Sequence, residues 1–144
     1  MKRHATAVWQ GSLSEGKGHL DTQSGALNDH GYSFKSRFED ENGKSGTNPE
    51  ELIAAAHAGC FAMQLSHFLA ENGTPAERLE ATAVVSVEQV EGGFAIKTSE
   101  LSLTGKVPGI RPDKFEELAG KAKQTCPVSK ALAGVEISLK IDLS

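Results

Sequence analysis

The sequence predicts an α+β protein, because its strand-like and helix-like segments form separate groups along the chain. Strand-like runs come first, and a long apolar helix follows them. A second group of strands, a shorter helix and a last strand complete the order. No linker, internal repeat or low-complexity tract interrupts these segments, so we expect residues 1–144 to form a single domain.

The first predicted strands lie near the amino terminus. Ala5–Trp9 and Gly31–Phe38 show the alternation and the aromatic or β-branched content that are typical of strands. The residues between them are typical of turns: Gly16, Gly18, Gly25 and Asn28-Asp29. These segments predict a small antiparallel sheet.

The long helix has clear start and stop signals. Its start is marked by Thr47 or Asn48 as the cap, Pro49 at the first helical position and Glu50-Glu51 in the first turn. Its end is marked by Glu71-Asn72, followed by Gly73 and Pro75. The acidic pair complements the positive end of the helix dipole, so these signals agree with one another.

The middle of this helix, Leu52–Met63, is apolar nearly all the way round and too short to span a bilayer. We therefore expect protein to surround it. Its small residues would let another helix or a sheet approach closely: Ala54, Ala55, Ala56, Ala58 and Gly59. A second copy of the chain, related by a twofold axis, could supply that neighbour.

The remaining elements follow the long helix. Ala83–Val90 and Phe94–Val107 flank Glu91-Gly92-Gly93, whose glycines suit a tight hairpin. A second helix is predicted over Pro112–Lys123. The tail Val135–Leu143 alternates apolar and polar residues, which predicts a strand with one buried face.

Composition limits the classes of partner. A net charge of −4 with mixed signs along the chain argues against a nucleic-acid or anionic-membrane surface. The first residues lack an apolar stretch of signal-peptide length, and no run of about 18 uncharged apolar residues occurs. We therefore expect a soluble, cytoplasmic protein that binds neither nucleic acid nor membrane.

The two cysteines, Cys60 and Cys126, are the most specific chemical feature of the sequence. A chain of 144 residues can bury a core without disulfide bonds, so folding does not require the two cysteines. In a reducing cytosol such thiols are catalytic, transient or merely buried. Pro127 resists helix continuation, which predicts that Cys126 lies at a break, at the start of a short last helix where a thiolate is favoured.

Six short motifs are spread over essentially the whole chain: Arg37-Phe-Glu39, Gly46–Ile53, Ala55-Ala-His-Ala58, Cys60-Phe61, Val107-Pro-Gly-Ile110 and Cys126-Pro-Val-Ser129. In combination they resemble the OsmC/Ohr family of thiol-dependent peroxidases. In the Ohr branch of that family an arginine comes from an earlier glycine-rich loop. Here that loop, Glu15–His19, has no arginine, so the resemblance is to the OsmC branch, with Arg37 in that role.

The resemblance implies a two-layer fold with antiparallel sheets around a buried central helix, in an intertwined homodimer. It also implies reduction of organic hydroperoxides and hydrogen peroxide in oxidative or osmotic stress defence. Cys60 would be the thiol that attacks the peroxide, and Cys126 the thiol that resolves the product as a disulfide. Arg37 and Glu50 would be the polar partners of Cys60.

The chemistry asked of these residues follows from their types. A thiol with a pKa near 8.5 is only slightly ionised at neutral pH, and burial suppresses its thiolate further, so Cys60 needs a nearby cation. Arg37 is permanently charged and can also polarise the departing peroxide oxygen. Glu50 would hold the guanidinium in place by a bidentate pair.

The spacing of two of these residues bears on quaternary structure. Glu50 and Cys60 lie ten residues apart on one predicted helix, about 15 Å along its axis. They cannot share one site directly. Either the helix is distorted between them, or the glutamate that serves Cys60 comes from a partner chain. We favour the second arrangement, which gives two composite sites per dimer.

Other interpretations remain open at this point. The cysteines could be packing residues of a non-catalytic stress protein or small-ligand-binding protein. His57, three residues before Cys60, suggests a cysteine–histidine hydrolase or half a zinc site, but nothing completes a tetrahedral ligand set. We expect His57 to be a packed or hydrogen-bonded core residue. We predict no cofactor and no metal, with hydroperoxide substrates and an external dithiol reductant, such as a lipoylated protein or another thiol donor.

Overall fold

The computed structural model describes all 144 residues and confirms the α+β class. The strands are β1 (Ala5–Gln10), β2 (Lys17–Thr22), β3 (His30–Ser33), β4 (Arg78–Val90), β5 (Gly93–Lys106) and β6 (Glu136–Leu143). The helices are α1 (Pro49–Glu71), α2 (Pro112–Thr125) and α3 (Pro127–Ala131). By its internal contacts the chain divides into two compact units, Met1–Leu52 and Ile53–Ser144. That residues 1–144 form a single domain stays a prediction.

The first unit contains the sheet β1-β2-β3, in which both strand pairs are antiparallel. The middle strand was not predicted, because Gly18 was interpreted as a turn residue. Gly18 instead lies within β2, where the rings of Trp9 and Tyr32 leave no room for a side chain. A Cβ there would lie 2.6 Å from a Tyr32 ring carbon and 2.7 Å from a Trp9 ring carbon.

The predicted strand Gly31–Phe38 is wrong beyond its first half. The chain leaves β3 at Ser33 and forms a π-helical turn over Lys35–Glu39, which carries Arg37. Ser36 causes this change of direction. Its hydroxyl accepts from the Ser33 N–H at 2.8 Å and donates to the carbonyls of Ser33 and Thr47, each at 3.0 Å. These local hydrogen bonds replace the backbone hydrogen bonds to a neighbouring strand that a longer β3 would need.

The start of α1 matches the sequence signals. The side-chain oxygen of Asn48 accepts from the Glu51 N–H at 2.8 Å, so Asn48 is the cap, and Pro49 is the first helical residue. The helix ends at Glu71, and Gly73 follows with a φ of +79° that a side chain would strain. Between these ends the helix is uninterrupted.

One face of α1 belongs to the core of the second unit. Phe61, Leu65 and Leu69 are fully buried, and they share one cluster with the inward residues of the second sheet and of α2. The rest of the helix is uncovered, since only 28% of its most apolar stretch is buried and Met63 is 75% exposed. Within one chain, protein therefore covers only one face of this helix, and that a second copy covers the rest stays a prediction. With 23 residues it is also long and apolar enough to cross a bilayer, a property that core helices of soluble proteins share.

The second sheet has the order β4-β5-β6. The predicted hairpin joins β4 and β5, and Gly92 and Gly93 take the positive φ values of +87° and +145° at its turn. The last strand pairs with β5 in parallel, unlike the three other strand pairs. The reason is the crossover through α2 and α3, which returns the chain to the starting end of the sheet.

The break predicted around Cys126 is present. α2 ends at Thr125, the Cys126 N–H still bonds to the Ala122 carbonyl at 2.9 Å, and Pro127 begins α3. The buried stripe of α2 holds this break against the core: Phe115, Leu118, Ala119 and Ala122.

Two glycines of the second unit allow a test of this packing. Gly105 on β5 lies under the Phe115 ring, and a Cβ there would approach a ring carbon to 2.7 Å. We expect Gly105→Ala to destabilise the protein by about 1–3 kcal/mol, because the ring is fully buried and must shift. Urea unfolding followed by circular dichroism measures the change.

Gly120 on α2 is the matched control. Nothing lies within 4 Å of its added Cβ, and alanine is the better helix former, so Gly120→Ala should stabilise by up to about 1 kcal/mol. Equal effects of the two substitutions would contradict this account of the core.

Candidate active site

The two cysteines of the second unit meet. Cys60 lies on α1, Cys126 lies at the break before α3, and their sulfurs are 2.9 Å apart with both thiols free. Cys60 is partly buried and Cys126 fully buried. A disulfide between them therefore needs the sulfurs to approach by about 0.9 Å, to a bond length of about 2.05 Å.

The two thiols differ in their ionisation. Burial raises the pKa of the Cys60 thiol, and its hydrogen bond with Cys126 raises it further, while the Val128 N–H acts in the opposite direction. Burial also disfavours the Cys126 thiolate. Hydrogen bonds from Cys60, from the N–H and hydroxyl of Ser129 and from the Val128 N–H nevertheless bring the pKa of Cys126 below its ordinary value.

Either sulfur of such a pair can hold the shared proton. Because Ser129 and Val128 direct their donors at Cys126, the arrangement with the proton on Cys60 and the negative charge on Cys126 is favoured. The predicted preference for a thiolate at Cys126 agrees with this environment. The neighbours of Cys60 within the dithiol do not by themselves make it a strong nucleophile.

His57 is fully buried, and serines hold both of its ring nitrogens. Nδ1 lies 2.7 Å from the Ser99 hydroxyl oxygen, and Nε2 lies 2.8 Å from that of Ser129. The prediction of a hydrogen-bonded core residue is confirmed. With both nitrogens occupied, the ring is not free to take a proton directly from Cys60, which argues against the hydrolase interpretation.

Sequence reasoning gave no role to the two serines. The burial of Ser99 could have been predicted from the sequence, because Ser99 alternates with Leu101 and Leu103 on the buried face of β5. A serine hydroxyl on a buried strand face needs a hydrogen-bond partner inside the protein. Ser129 stands in one of the family motifs, but its pairing with His57 depends on a contact across 72 residues of sequence. The structure contains no group of three potential metal ligands.

The first unit brings Arg37 and Glu50 together. The Arg37 Nη2 donates to Glu50 Oε1 at 2.8 Å, and Nε donates to Oε1 at 3.1 Å and to Oε2 at 3.3 Å. Glu50 is 7% exposed, whereas the Arg37 side chain is 33% exposed. The pair uses one edge of the guanidinium and leaves Nη1 outside it. The arginine is therefore fixed in orientation and retains a donor for another group.

An apolar pocket adjoins this guanidinium. It has a volume of about 250 Å³ and is lined by Trp9, Leu13, Tyr32, Ser33, Phe34, Arg37 and Phe38. The Trp9 and Tyr32 rings lie 5.3 Å apart, and the Arg37 guanidinium lies 4.9 Å from the Phe38 ring centre.

The comparisons with known proteins agree with this chemistry. The model of the family described as OsmC-like protein matches residues 41–140. Peroxiredoxin OsmC of Escherichia coli strain K12 is 47% identical over 137 residues, covering 95% of this chain and 93% of that protein.

The organic hydroperoxide resistance protein OhrB of Bacillus subtilis strain 168 is 29% identical over 127 residues, covering 88% of each chain. Its crystal structure superposes with a TM-score of 0.71 at 30% identity, over 96% of this chain and 98% of that one. The family match over most of the chain and the extent of identity to its members show that this chain belongs to the OsmC family.

Proposed function

We propose that this protein reduces organic hydroperoxides and hydrogen peroxide through a cycle in which Cys60 is oxidised and Cys126 resolves it. The protein is a thiol-dependent peroxidase, as its kinship with peroxiredoxin OsmC and the hydroperoxide resistance proteins indicates. The observation that carries the detailed cycle is the 2.9 Å contact between the two sulfurs. Cysteines that only filled the core would not need to meet.

The first step oxidises Cys60. Its thiolate attacks one peroxide oxygen, so that a sulfur–oxygen bond forms as the oxygen–oxygen bond breaks. The departing oxygen leaves as alkoxide or hydroxide and takes up a proton. Cys60 is then a sulfenic acid.

The second step forms the disulfide. The Cys126 sulfur attacks the Cys60 sulfur, the sulfur–oxygen bond breaks, and hydroxide leaves to become water with the proton of the resolving thiol. An external dithiol then reduces the disulfide by thiol exchange and is itself oxidised. We propose a lipoylated protein or another thiol donor as this reductant, and the cytoplasm, in oxidative or osmotic stress defence, as the setting.

The first step needs a cation beside Cys60, because burial and the contact with Cys126 raise the pKa of that thiol. We assign this role to Arg37, which Glu50 orients by three hydrogen bonds. The apolar pocket beside Arg37 suits the carbon skeleton of an organic hydroperoxide, whose polar end would then face the guanidinium.

We propose that the site is completed in a homodimer. α1 is a continuous helix, so Glu50 and Cys60 are separated by about 15 Å along its axis. The large uncovered part of this apolar helix supports an interface with a second copy. In this arrangement the Arg37–Glu50 pair of one chain serves the Cys60 of the other, and each dimer has two sites.

The two cysteines should respond differently to substitution. We expect Cys60→Ser to abolish turnover. We expect Cys126→Ser to consume about one equivalent of peroxide and to leave Cys60 as a sulfenic or over-oxidised acid, since no thiol captures the intermediate. Peroxide consumption with excess dithiol and mass spectrometry of the oxidised residue are the measurements. Catalytic turnover by Cys60→Ser, or a first oxidation on Cys126, would overturn the assignment.

Loss of either member of the ion pair should slow the first step. Because a cation favours the thiolate, we expect Arg37→Ala to slow Cys60 oxidation by cumene hydroperoxide roughly 10-fold or more. Glu50→Gln should slow it less, since the arginine keeps its charge but loses its fixed orientation. Rapid-mixing kinetics give the rates.

The exposed pair Arg111–Asp113 provides the control, because Arg111→Ala removes a similar side-on ion pair that has no hydrogen bond to either cysteine or to the Arg37–Glu50 pair. A folded Arg37→Ala protein with the oxidation rate of the control would refute the role of Arg37.

The composite site can be tested by combining one slowed and one inactive variant. A mixed dimer of Arg37→Ala and Cys60→Ser chains, purified by two affinity tags, has one site with both defects and one site with neither. We expect about half of the wild-type activity from this dimer. An inactive mixed dimer would show that both residues must lie on the same chain, and a monomer in analytical ultracentrifugation would exclude the arrangement altogether.

A further inference from the structure

The second unit contains a continuous chain of buried polar groups that the peroxidase cycle does not use. It runs from Ser99 on β5 to His57 on α1, and then to Ser129 on α3. The nitrogen–oxygen distances are 2.7 Å and 2.8 Å. All three side chains are buried, with exposures of 0% for Ser99 and His57 and 6% for Ser129. These residues are called the serine–histidine relay below.

The relay ends at the dithiol. Ser129 is the third residue of α3, and Cys126 is the residue at which that helix starts, so Ser129 lies within one helical turn of Cys126. The Ser129 hydroxyl helps to lower the pKa of the Cys126 thiol. Cys126 in turn contacts Cys60 at 2.9 Å. The relay and the dithiol therefore bring together five side chains from three separated segments of sequence, and Cys60, the proposed nucleophile, lies at the far end.

The direction of the hydrogen bonds follows from the chemistry of a neutral imidazole. Burial lowers the pKa of His57, so the ring is neutral and has one donor and one acceptor nitrogen. If Ser129 donates to a Cys126 thiolate, its oxygen must accept from His57, and Nε2 therefore carries the ring proton. Nδ1 then accepts from the Ser99 hydroxyl. Each member donates once toward the sulfur, and no buried polar side-chain atom lacks a partner.

We propose that His57 is a positioning residue for the resolving step, since it holds the Ser129 hydroxyl as a donor to the Cys126 sulfur, which is poised 2.9 Å from Cys60. The proposal rests on the proposed function, in which Cys126 attacks the Cys60 sulfenic acid. The groups that face the His57 ring are Ser99 from β5 and Ser129 from α3, and the titratable groups joined to it are Cys126 and, on its own helix, Cys60.

The chemical consequence concerns the second step of the cycle. A thiolate is the form of Cys126 that attacks, so a donor fixed on its sulfur raises the fraction of attacking species at neutral pH. The sulfur–sulfur bond forms as the sulfur–oxygen bond of Cys60 breaks, and the departing hydroxide takes up a proton from solvent, the equivalent of the one that Cys126 released on ionising, and becomes water. The peroxide has already supplied the oxidising equivalents, so the step needs no further reactant.

The relay also explains why a histidine and two serines occupy the core of the second unit. Buried polar groups stabilise a fold no better than apolar groups of the same shape, and they cost free energy unless every one is satisfied. A purely space-filling role could be met by apolar side chains. The relay instead constrains the Ser129 hydroxyl, which would otherwise rotate freely and could bond the carbonyl of an earlier residue in its helix.

The decisive variant is Ser129→Ala, which removes the last donor and leaves the His57 ring in place. A hydrogen bond to a charged group is lost, so we expect disulfide formation after a single oxidation to slow about 10-fold or more. Rapid quenching and mass spectrometry follow the sulfenic acid and the disulfide separately. With excess cumene hydroperoxide, the over-oxidised fraction of Cys60 should rise, because the sulfenic acid survives longer.

A second readout isolates the ionisation of Cys126 from catalysis. In a Cys60→Ser background the thiolate absorbance of Cys126 can be titrated in the ultraviolet. We expect Ser129→Ala to raise the pKa of Cys126 by about one pH unit or more, and Ser129→Thr to restore it by returning the hydroxyl. His57→Gln should raise it as well, if that variant folds.

Ser86→Ala is the matched control, because the Ser86 hydroxyl pairs with Thr98 on the second sheet at 2.6 Å and has no link to the relay. The control should leave both the titration and the rate of disulfide formation unchanged. A folded Ser129→Ala protein with the wild-type Cys126 titration and the wild-type rate would overturn the proposal. Failure of the wild-type Cys60 to form any sulfenic acid would instead refute the proposed cycle, and the titration would still decide the role of the relay.

Discussion

The packing of one face of α1 into the core is the interaction on which the rest of the second unit depends. Phe61, Leu65 and Leu69 are fully buried and fix both the axial position and the rotation of the helix. Cys60 precedes Phe61 directly, and His57 lies one turn earlier on the buried side. The same core holds the buried stripe of α2, which ends at the break that carries Cys126. Apolar packing therefore sets the separation of the two sulfurs, and polar contacts adjust their ionisation.

The ionisation pattern explains why a thiol pair alone is a poor peroxidase. The contact with Cys60 and the donors around Cys126 lower the pKa of the Cys126 thiol, whereas burial and the contact with Cys126 raise the pKa of the Cys60 thiol. A cation near Cys60 must reverse this order before peroxide can react. The Arg37–Glu50 pair has the required fixed orientation and an unused donor. In the cycle that we propose, Arg37 and Glu50 activate the attack, and the donors around Cys126 prepare the resolution.

Much of this arrangement is predictable from the sequence. The cap at Asn48, the length of α1, the glycine turn of the long hairpin and the break at Cys126 all depend on local chemistry, which a sequence displays directly. The first sheet was harder, because Gly18 serves a close approach of two aromatic rings rather than a turn. The turn that carries Arg37 depends on bonds from Ser36 to two carbonyls, one of them eleven residues away.

The features that escaped prediction share a physical cause. The partners of His57 come from segments 42 and 72 residues away, and no local pattern specifies which serine will meet a buried ring. The sequence also leaves open what covers the rest of α1, because an apolar sequence shows that a surface will be buried but not whether the same chain will bury it. Pairings between distant segments need the tertiary structure.

The sequence separation of the two cysteines also bears on the stability of the folded protein. Cys60 and Cys126 are 66 residues apart, so a bond between their sulfurs closes a large loop in the unfolded chain. On the chain-entropy model, such a cross-link adds about 4 kcal/mol to the free energy of unfolding. In the proposed cycle, the oxidised protein would therefore resist heat and proteases better than the reduced one. A molecule that has just consumed peroxide would then be most stable while peroxide is present. It would become easier to unfold and degrade once reductant converts the disulfide back to two thiols.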